Sequence, residues 1–243
     1  MSVPLLQIAL DNITLSGALK SAKAVGDEVD IIEAGTILCL AEGMEAVRCL
    51  RALYPEKIIL ADTKCADAGG TVAKMCADAG ADWMTVICSA TIPTMKAALK
   101  EVKELQVELY GDWTFEHAKA WKDAGITQAV YHQSRDALLS GETWSESDLN
   151  KIKKLSEMGF KVSVTGGLEM ETLKLFKDID VFTFIAGRSI RDAENPDKEA
   201  KKFKEEISKY SSSMIDQYKD IYKIDVDLYD EYKVKRGLRD KNG

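Results

Sequence analysis

Short apolar runs rich in Val and Ile recur along this chain with amphipathic stretches of about three turns between them, the signature of βα units around a parallel sheet. Strand-like runs fall at Leu5 to Leu10, Val29 to Ala34, Lys57 to Ala61, Trp83 to Cys88, Val107 to Tyr110, Ala129 to His132, Lys161 to Val164 and Val181 to Ala186. Helical patterns lie between them. Glu42 to Leu53 carries Met44, Val47, Leu50 and Leu53 on one face, and Thr91 to Val102 carries Ile92, Met95, Leu99 and Val102. Eight such units in 243 residues predict an α/β fold, a (β/α)8 TIM barrel. A doubly wound open sheet would carry a glycine-rich fingerprint after its first strand, whereas here Leu10 is followed by Asp11-Asn12-Ile13-Thr14.

The barrel is expected to occupy residues 1–209. Asn195 and Pro196 read as the N-cap and first residue of a last helix that turns Phe203 and Ile207 inward and closes the ring. Residues 210–243 read as a C-terminal extension, partly helical or disordered, in which Met214, Ile215, Tyr218, Ile221 and Tyr222 share a helix face able to pack on the barrel or a partner subunit. A chain that is 46% hydrophobic and 30% charged suits a soluble globular protein, and a net charge of -7 argues against a nucleic-acid groove. Five cysteines without a C-x-x-C pair point to a reduced, cytoplasmic protein. The opening Met1-Ser2-Val3-Pro4 has no basic n-region and no apolar stretch reaches membrane-spanning length, so neither export nor a membrane anchor is expected.

Barrel enzymes collect their working residues at the carboxyl ends of the strands. Asp11 follows the first run, Glu33 lies in the second, and Asp62, Lys64 and Asp67 follow the third. Glu108 belongs to the fifth, His132 and then Arg135 to the sixth, Thr165-Gly166-Gly167 to the seventh and Gly187-Arg188-Ser189 to the eighth. Any one of these is explained as a solvated loop-end residue or a strand-end salt bridge; their recurrence at one end of nearly every strand is what points to a site. Loops after strands seven and eight commonly bind phosphate through backbone N–H groups, which the glycines permit and the Arg188 guanidinium complements, although turn glycines alone would read the same way. Glu33 and Asp62 on neighbouring strands offer oxygens to a hard cation such as Mg²⁺, against the alternative that they pair with Lys64. His132 with Arg135 suggests a proton-delivery pair, or else a hydrogen-bonded core histidine. His117, at a helix start, reads as a surface residue.

Five segments carry a closer likeness: Gln7-Ile8-Ala9-Leu10-Asp11, Val29 through Thr36, Asp62-x-Lys64-x-x-Asp67, Tyr131-His132-Gln133-Ser134-Arg135-Asp136, and Ile185 through Ile190. In these the chain resembles the 3-keto-L-gulonate-6-phosphate decarboxylases, sugar-phosphate lyases of the orotidine-5′-phosphate decarboxylase superfamily, over residues 1 to about 209. The resemblance implies a homodimer with active sites at the subunit interface, Asp67 coming from the neighbouring chain to keep Lys64 charged and aimed. It implies Mg²⁺ at Glu33 and Asp62, substrate hydroxyls at Asp11 and Glu108, and a phosphate region of Thr165, Gly166, Gly167, Gly187 and Arg188.

The implied substrate is a phosphorylated keto-sugar acid, 3-keto-L-gulonate 6-phosphate, decarboxylated through an enediolate to L-xylulose 5-phosphate and CO₂, with His132 and Arg135 positioning or supplying water as the acid. The family context implies use of L-ascorbate or related sugar acids. Hexulose-6-phosphate synthase, a formaldehyde aldolase, shares fold, metal and enediolate and is the runner-up. Orotidine-5′-phosphate decarboxylase itself fits less well, because its metal-free site uses a lysine on the second strand where this chain has Glu33. A non-catalytic sugar-phosphate-binding protein is the reading from another class, disfavoured by the full set of acid, base and metal-type residues.

Overall fold

Each of the eight apolar runs forms a strand, and the strands close on themselves in sequence order, every neighbouring pair parallel. The computed structural model describes residues 3–222, with side chains as far as Tyr210. Its strands are β1 (Leu5–Leu10), β2 (Ile31–Ala34), β3 (Ile58–Cys65), β4 (Trp83–Ile87), β5 (Glu104–Leu109), β6 (Gln128–His132), β7 (Lys161–Thr165) and β8 (Thr183–Ala186). The predicted (β/α)8 barrel is what the chain forms.

Helices α1 (Leu15–Val25), α2 (Thr36–Glu42), α3 (Met44–Leu53), α4 (Gly69–Asp78), α5 (Ile92–Ala98), α6 (Phe115–Asp123), α7 (Arg135–Leu139), α8 (Glu146–Glu157), α9 (Met170–Leu173), α10 (Arg188–Arg191) and α11 (Pro196–Tyr222) fill the connections. Side chains alternate across each strand. On β1, Leu6, Ile8 and Leu10 face the helices in the main core, while Ala9 meets Val130 and Ile185 inside the barrel. Helix starts follow local chemistry: Thr14, Thr91, Thr114 and Ser145 each accept a hydrogen bond from a backbone N–H in the first turn of the helix they precede, a contribution of about 1 kcal/mol each. His117 closes the box at α6, with Thr114 N–H donating to its Nδ1 at 3.2 Å, and is exposed as its position suggested.

The structure departs from the sequence expectation in three places. The predicted helix from Glu42 is two, because Gly43 at φ 60° breaks the ladder between α2 and α3. The helix from Thr91 stops at Ala98, short of Val102. Strand β3 runs on to Cys65, past a register shift between Ala61 and Cys65, so that Asp62 and Lys64 belong to the barrel wall. At the other end of the chain, α11 buries Ala200, Phe203, Ile207 and Tyr210 and continues as backbone helix across the expected boundary near Lys209 to Tyr222. The face of Met214, Ile215, Tyr218, Ile221 and Tyr222 lies outside the described side chains, and residues 223–243 outside the described residues.

All five cysteines are free thiols. Burial first, then nearby charged groups, pushes the Cys39 thiol up to about 12, and burial likewise raises Cys76 to about 12, as suits small core residues. Among the described residues no helix is long and apolar enough to cross a membrane.

Candidate active site

Every predicted site residue except Asp67 lines one cavity of about 840 Å³ over the carboxyl ends of the strands. A shallower depression of about 420 Å³, lined by Phe115, Glu146 and Lys154 among others, holds none of them.

The polar centre is Lys64. Its Nζ lies 2.5 Å from Asp62 Oδ2 and 2.9 Å from Glu108 Oε2, and both carboxylates are almost fully buried. Burial alone would strip its charge, but Asp62 and Glu108 outweigh that and raise its pKa. Asp62 is pushed up by burial, yet the Lys64 charge and hydrogen bonds from Lys64, Thr36 and Thr85 bring it below the ordinary carboxylate value. Thr36 Oγ1 donates to Asp62 Oδ2 at 2.5 Å and accepts from Lys64 at 2.8 Å, while Thr85 Oγ1 donates to Asp62 Oδ1 at 2.7 Å. The backbone bends to allow this. Lys64 sits at φ 44°, a left-handed conformation that an L side chain adopts at about 1–3 kcal/mol, and its N–H donates to Thr85 Oγ1 at 2.9 Å.

Glu33 has no such cation of its own. Its Oε2 accepts from Gln7 Nε2, and its pKa is raised well above 4.5 by burial first, then by the charges of Asp62 and Asp11. Acidic oxygens here outnumber the one ammonium. No three His, Cys, Asp or Glu side chains converge as a ready-made metal set among the described residues. Two carboxylates with room for substrate and water oxygens are nonetheless what a small hard cation uses, and its charge would relieve the crowding at Glu33, so the donor set fits Mg²⁺.

On the opposite wall, Arg135 Nη2 donates to Asp11 Oδ2 at 3.1 Å, joining the β6 and β1 ends of the cavity. His132 Nδ1 lies 2.6 Å from the Tyr110 hydroxyl and 3.7 Å from Glu108 Oε1. Gly166 (φ 104°) and Gly167 (φ 61°) turn the chain after β7, and a Cβ on Gly166 would drive into the Gln133 carbonyl oxygen. Gly187 and Arg188 begin α10 across from them. Thr165 directs its hydroxyl to the Ile185 carbonyl at 3.1 Å.

Asp67 stands apart. It is exposed, off the cavity, and Lys64 is held by Asp62 and Glu108 within the chain. Thr36, Thr85 and Tyr110 were missed by sequence reading; Tyr110 was detectable, since it follows Glu108 at the strand period of two.

A family model described as orotidine 5'-phosphate decarboxylase / HUMPS family matches residues 4–203. The chain belongs to that family. It is 57% identical over 212 residues to 3-keto-L-gulonate-6-phosphate decarboxylase UlaD of Salmonella paratyphi B, covering 86% of this chain and 98% of that protein. Its fold matches KGPDC from Streptococcus mutans, solved in complex with a phosphorylated sugar, at a TM-score of 0.85 and 64% identity, over 86% of this chain and 99% of that one. A 3-hexulose-6-phosphate synthase from Salmonella typhimurium matches at 0.77 and 29% identity, over 86% and 99%. Within the family, the chain is therefore an enzyme of the carboxy-lyase kind.

Proposed function

We propose that this protein decarboxylates 3-keto-L-gulonate 6-phosphate to L-xylulose 5-phosphate and CO₂ in a Mg²⁺-dependent reaction. The observation that carries the reading is the Lys64 ammonium, held charged between Asp62 and Glu108 beside a carboxylate, Glu33, that lacks a cation. Breaking the bond to the carboxylate leaves its electron pair on the sugar as an enediolate, and a cation already aimed at that oxyanion lowers the barrier without reorganising. Glu33 and Asp62 would hold the metal, and bound Mg²⁺ supplies Lewis-acid neutralisation of negative charge on substrate oxygens.

The other residues have complementary work. Glu108 Oε2 is buried and, apart from its ion pair with Lys64, has no hydrogen-bond donor, which suits a substrate hydroxyl; Asp11 takes another. The Gly166-Gly167 turn, Gly187, Arg188 and Thr165 bind the phosphate. His132 and Arg135 hold a water whose O–H gives its proton to the carbon that lost CO₂, and Arg135 faces the hydroxide left behind. The phosphorylated sugar bound to the Streptococcus mutans protein supports an occupant of the same class here. A homodimer in which Asp67 reaches the partner's Lys64 is part of the same reading, as are a cytoplasmic location and a place in sugar-acid breakdown.

Likeness to a 3-hexulose-6-phosphate synthase keeps formaldehyde addition as the second reading. One experiment weighs both: CO₂ release from 3-keto-L-gulonate 6-phosphate with Mg²⁺ and with chelator, beside formaldehyde addition to ribulose 5-phosphate. Chelator-sensitive CO₂ release at the higher kcat/KM is the expected result. Dominant aldol addition selects the synthase, and sugar-phosphate binding without either turnover sinks both enzymatic readings.

A further inference from the structure

Tyr110 faces the reacting space without a part in the chemistry above. It follows β5 two residues after Glu108, and its hydroxyl lies 2.6 Å from His132 Nδ1 with the rings 4.9 Å apart. The Lys64 ammonium is 5.9 Å from the centre of the phenol ring, so Tyr110 spans the space between the ammonium and the imidazole. Glu108 Oε1, at 3.7 Å from the same nitrogen, is beyond hydrogen-bond reach. The phenol is therefore the hydrogen-bond partner that Nδ1 has on this wall.

A neutral imidazole has one N–H and one bare nitrogen, and the partner at one nitrogen decides the state of the other. Burial, followed by the charge of Glu108, raises the Tyr110 pKa, so the phenol keeps its proton and is the donor. We propose that Tyr110 is a positioning residue that donates to Nδ1, fixes His132 as the Nε2–H tautomer and so presents an N–H to the cavity. This rests on the decarboxylase reading for its consequence. As the water gives its proton to carbon, the water O–H bond breaks and a C–H bond forms from the enediolate electron pair. The hydroxide left behind accepts from Nε2–H and faces the Arg135 guanidinium. A bare Nε2 would instead accept from the water and offer that hydroxide nothing.

The chain has two histidines, so ¹⁵N-histidine NMR of the ligand-free enzyme reads His132 directly, with His132→Gln identifying its signals. At alkaline pH, where the ring is neutral, wild type is expected to show a bare Nδ1 and a protonated Nε2, and Tyr110→Phe a mixture. Turnover of Tyr110→Phe is expected to fall by about 10–100-fold in kcat with KM little changed, and the same substitution is expected to add nothing in a His132→Gln background. An Nδ1–H tautomer in wild type, a tautomer unchanged by Tyr110→Phe, or losses that multiply in the double variant would overturn the proposal. The NMR arm needs no turnover. A Tyr110-dependent Nε2–H tautomer in a protein that releases no CO₂ therefore supports the placement of the proton and overturns the reading of the reaction.

Discussion

Lys64 shares one ammonium between two buried carboxylates while Glu33 nearby shares none, and the chemistry of this cavity follows from that imbalance. Lys64→Ala is expected to lower decarboxylation by about 10²–10³-fold or more, measured as CO₂ release on protein shown by circular dichroism to be folded; near-normal turnover would contradict the role given to the ammonium. Glu33 makes a prediction of opposite sign for stability. Its folded pKa is raised, so its neutral form is favoured by folding: that stability is complete below about 4.5 and is lost as pH rises through the folded value. In metal-free protein, Glu33→Gln should therefore raise the melting temperature at neutral pH, with the gain fading as pH falls toward 4.5. A gain independent of pH would mean that ionisation of Glu33 is not its source.

At the scale of elements, β3 and the β7 turn show two uses of unusual backbone. Lys64 takes a left-handed conformation without being glycine, and the register shift around it lets Asp62 and Lys64 meet while Thr85 on β4 satisfies both. The i, i+2 spacing was legible in sequence; the bend was not, because it depends on a hydroxyl supplied by the next strand. Gly166 is required sterically as well as conformationally. Gly166→Ala is expected to destabilise the protein by about 1–3 kcal/mol in denaturant titration. At Gly187 an added Cβ meets the Ala9 carbonyl oxygen at 3.6 Å, an ordinary contact. Gly187→Ala should lose less stability and, if the phosphate lies there, raise KM more than it lowers kcat. Equal stability losses at the two glycines would show that the turn after β7 tolerates a side chain.

For the whole molecule, the open matters are the partner subunit and the extension. Asp67 is exposed in the single chain, and Ile13, Leu40 and Leu139 leave large apolar side chains in solvent, which supports an interface between copies. If Asp67 works across that interface, mixing Lys64→Ala with Asp67→Ala subunits after denaturation and refolding is expected to regain activity that neither has alone; no recovery would leave Asp67 without that role. The Salmonella paratyphi B relative matches over 98% of its own length while 86% of this chain is used, so that relative completes its barrel without the extension. Truncation after Tyr210 keeps the buried residues Phe203, Ile207 and Tyr210 and should leave melting temperature and turnover unchanged. A lower melting temperature would mean that the extension packs on the barrel.

The eight strands and the residues at their carboxyl ends were legible in the chain because parallel strands buried on both faces need continuous apolar runs, and chemistry is confined to where those runs stop. Asp11, Glu33, Asp62, Glu108 and His132 were found by that rule alone. Which of these charges pair was decided only by folding. Asp62, Glu108 and Tyr110 converge on Lys64 and His132 through barrel closure, which brings residues far apart in sequence within hydrogen-bond distance, and no local period encodes a contact across the barrel.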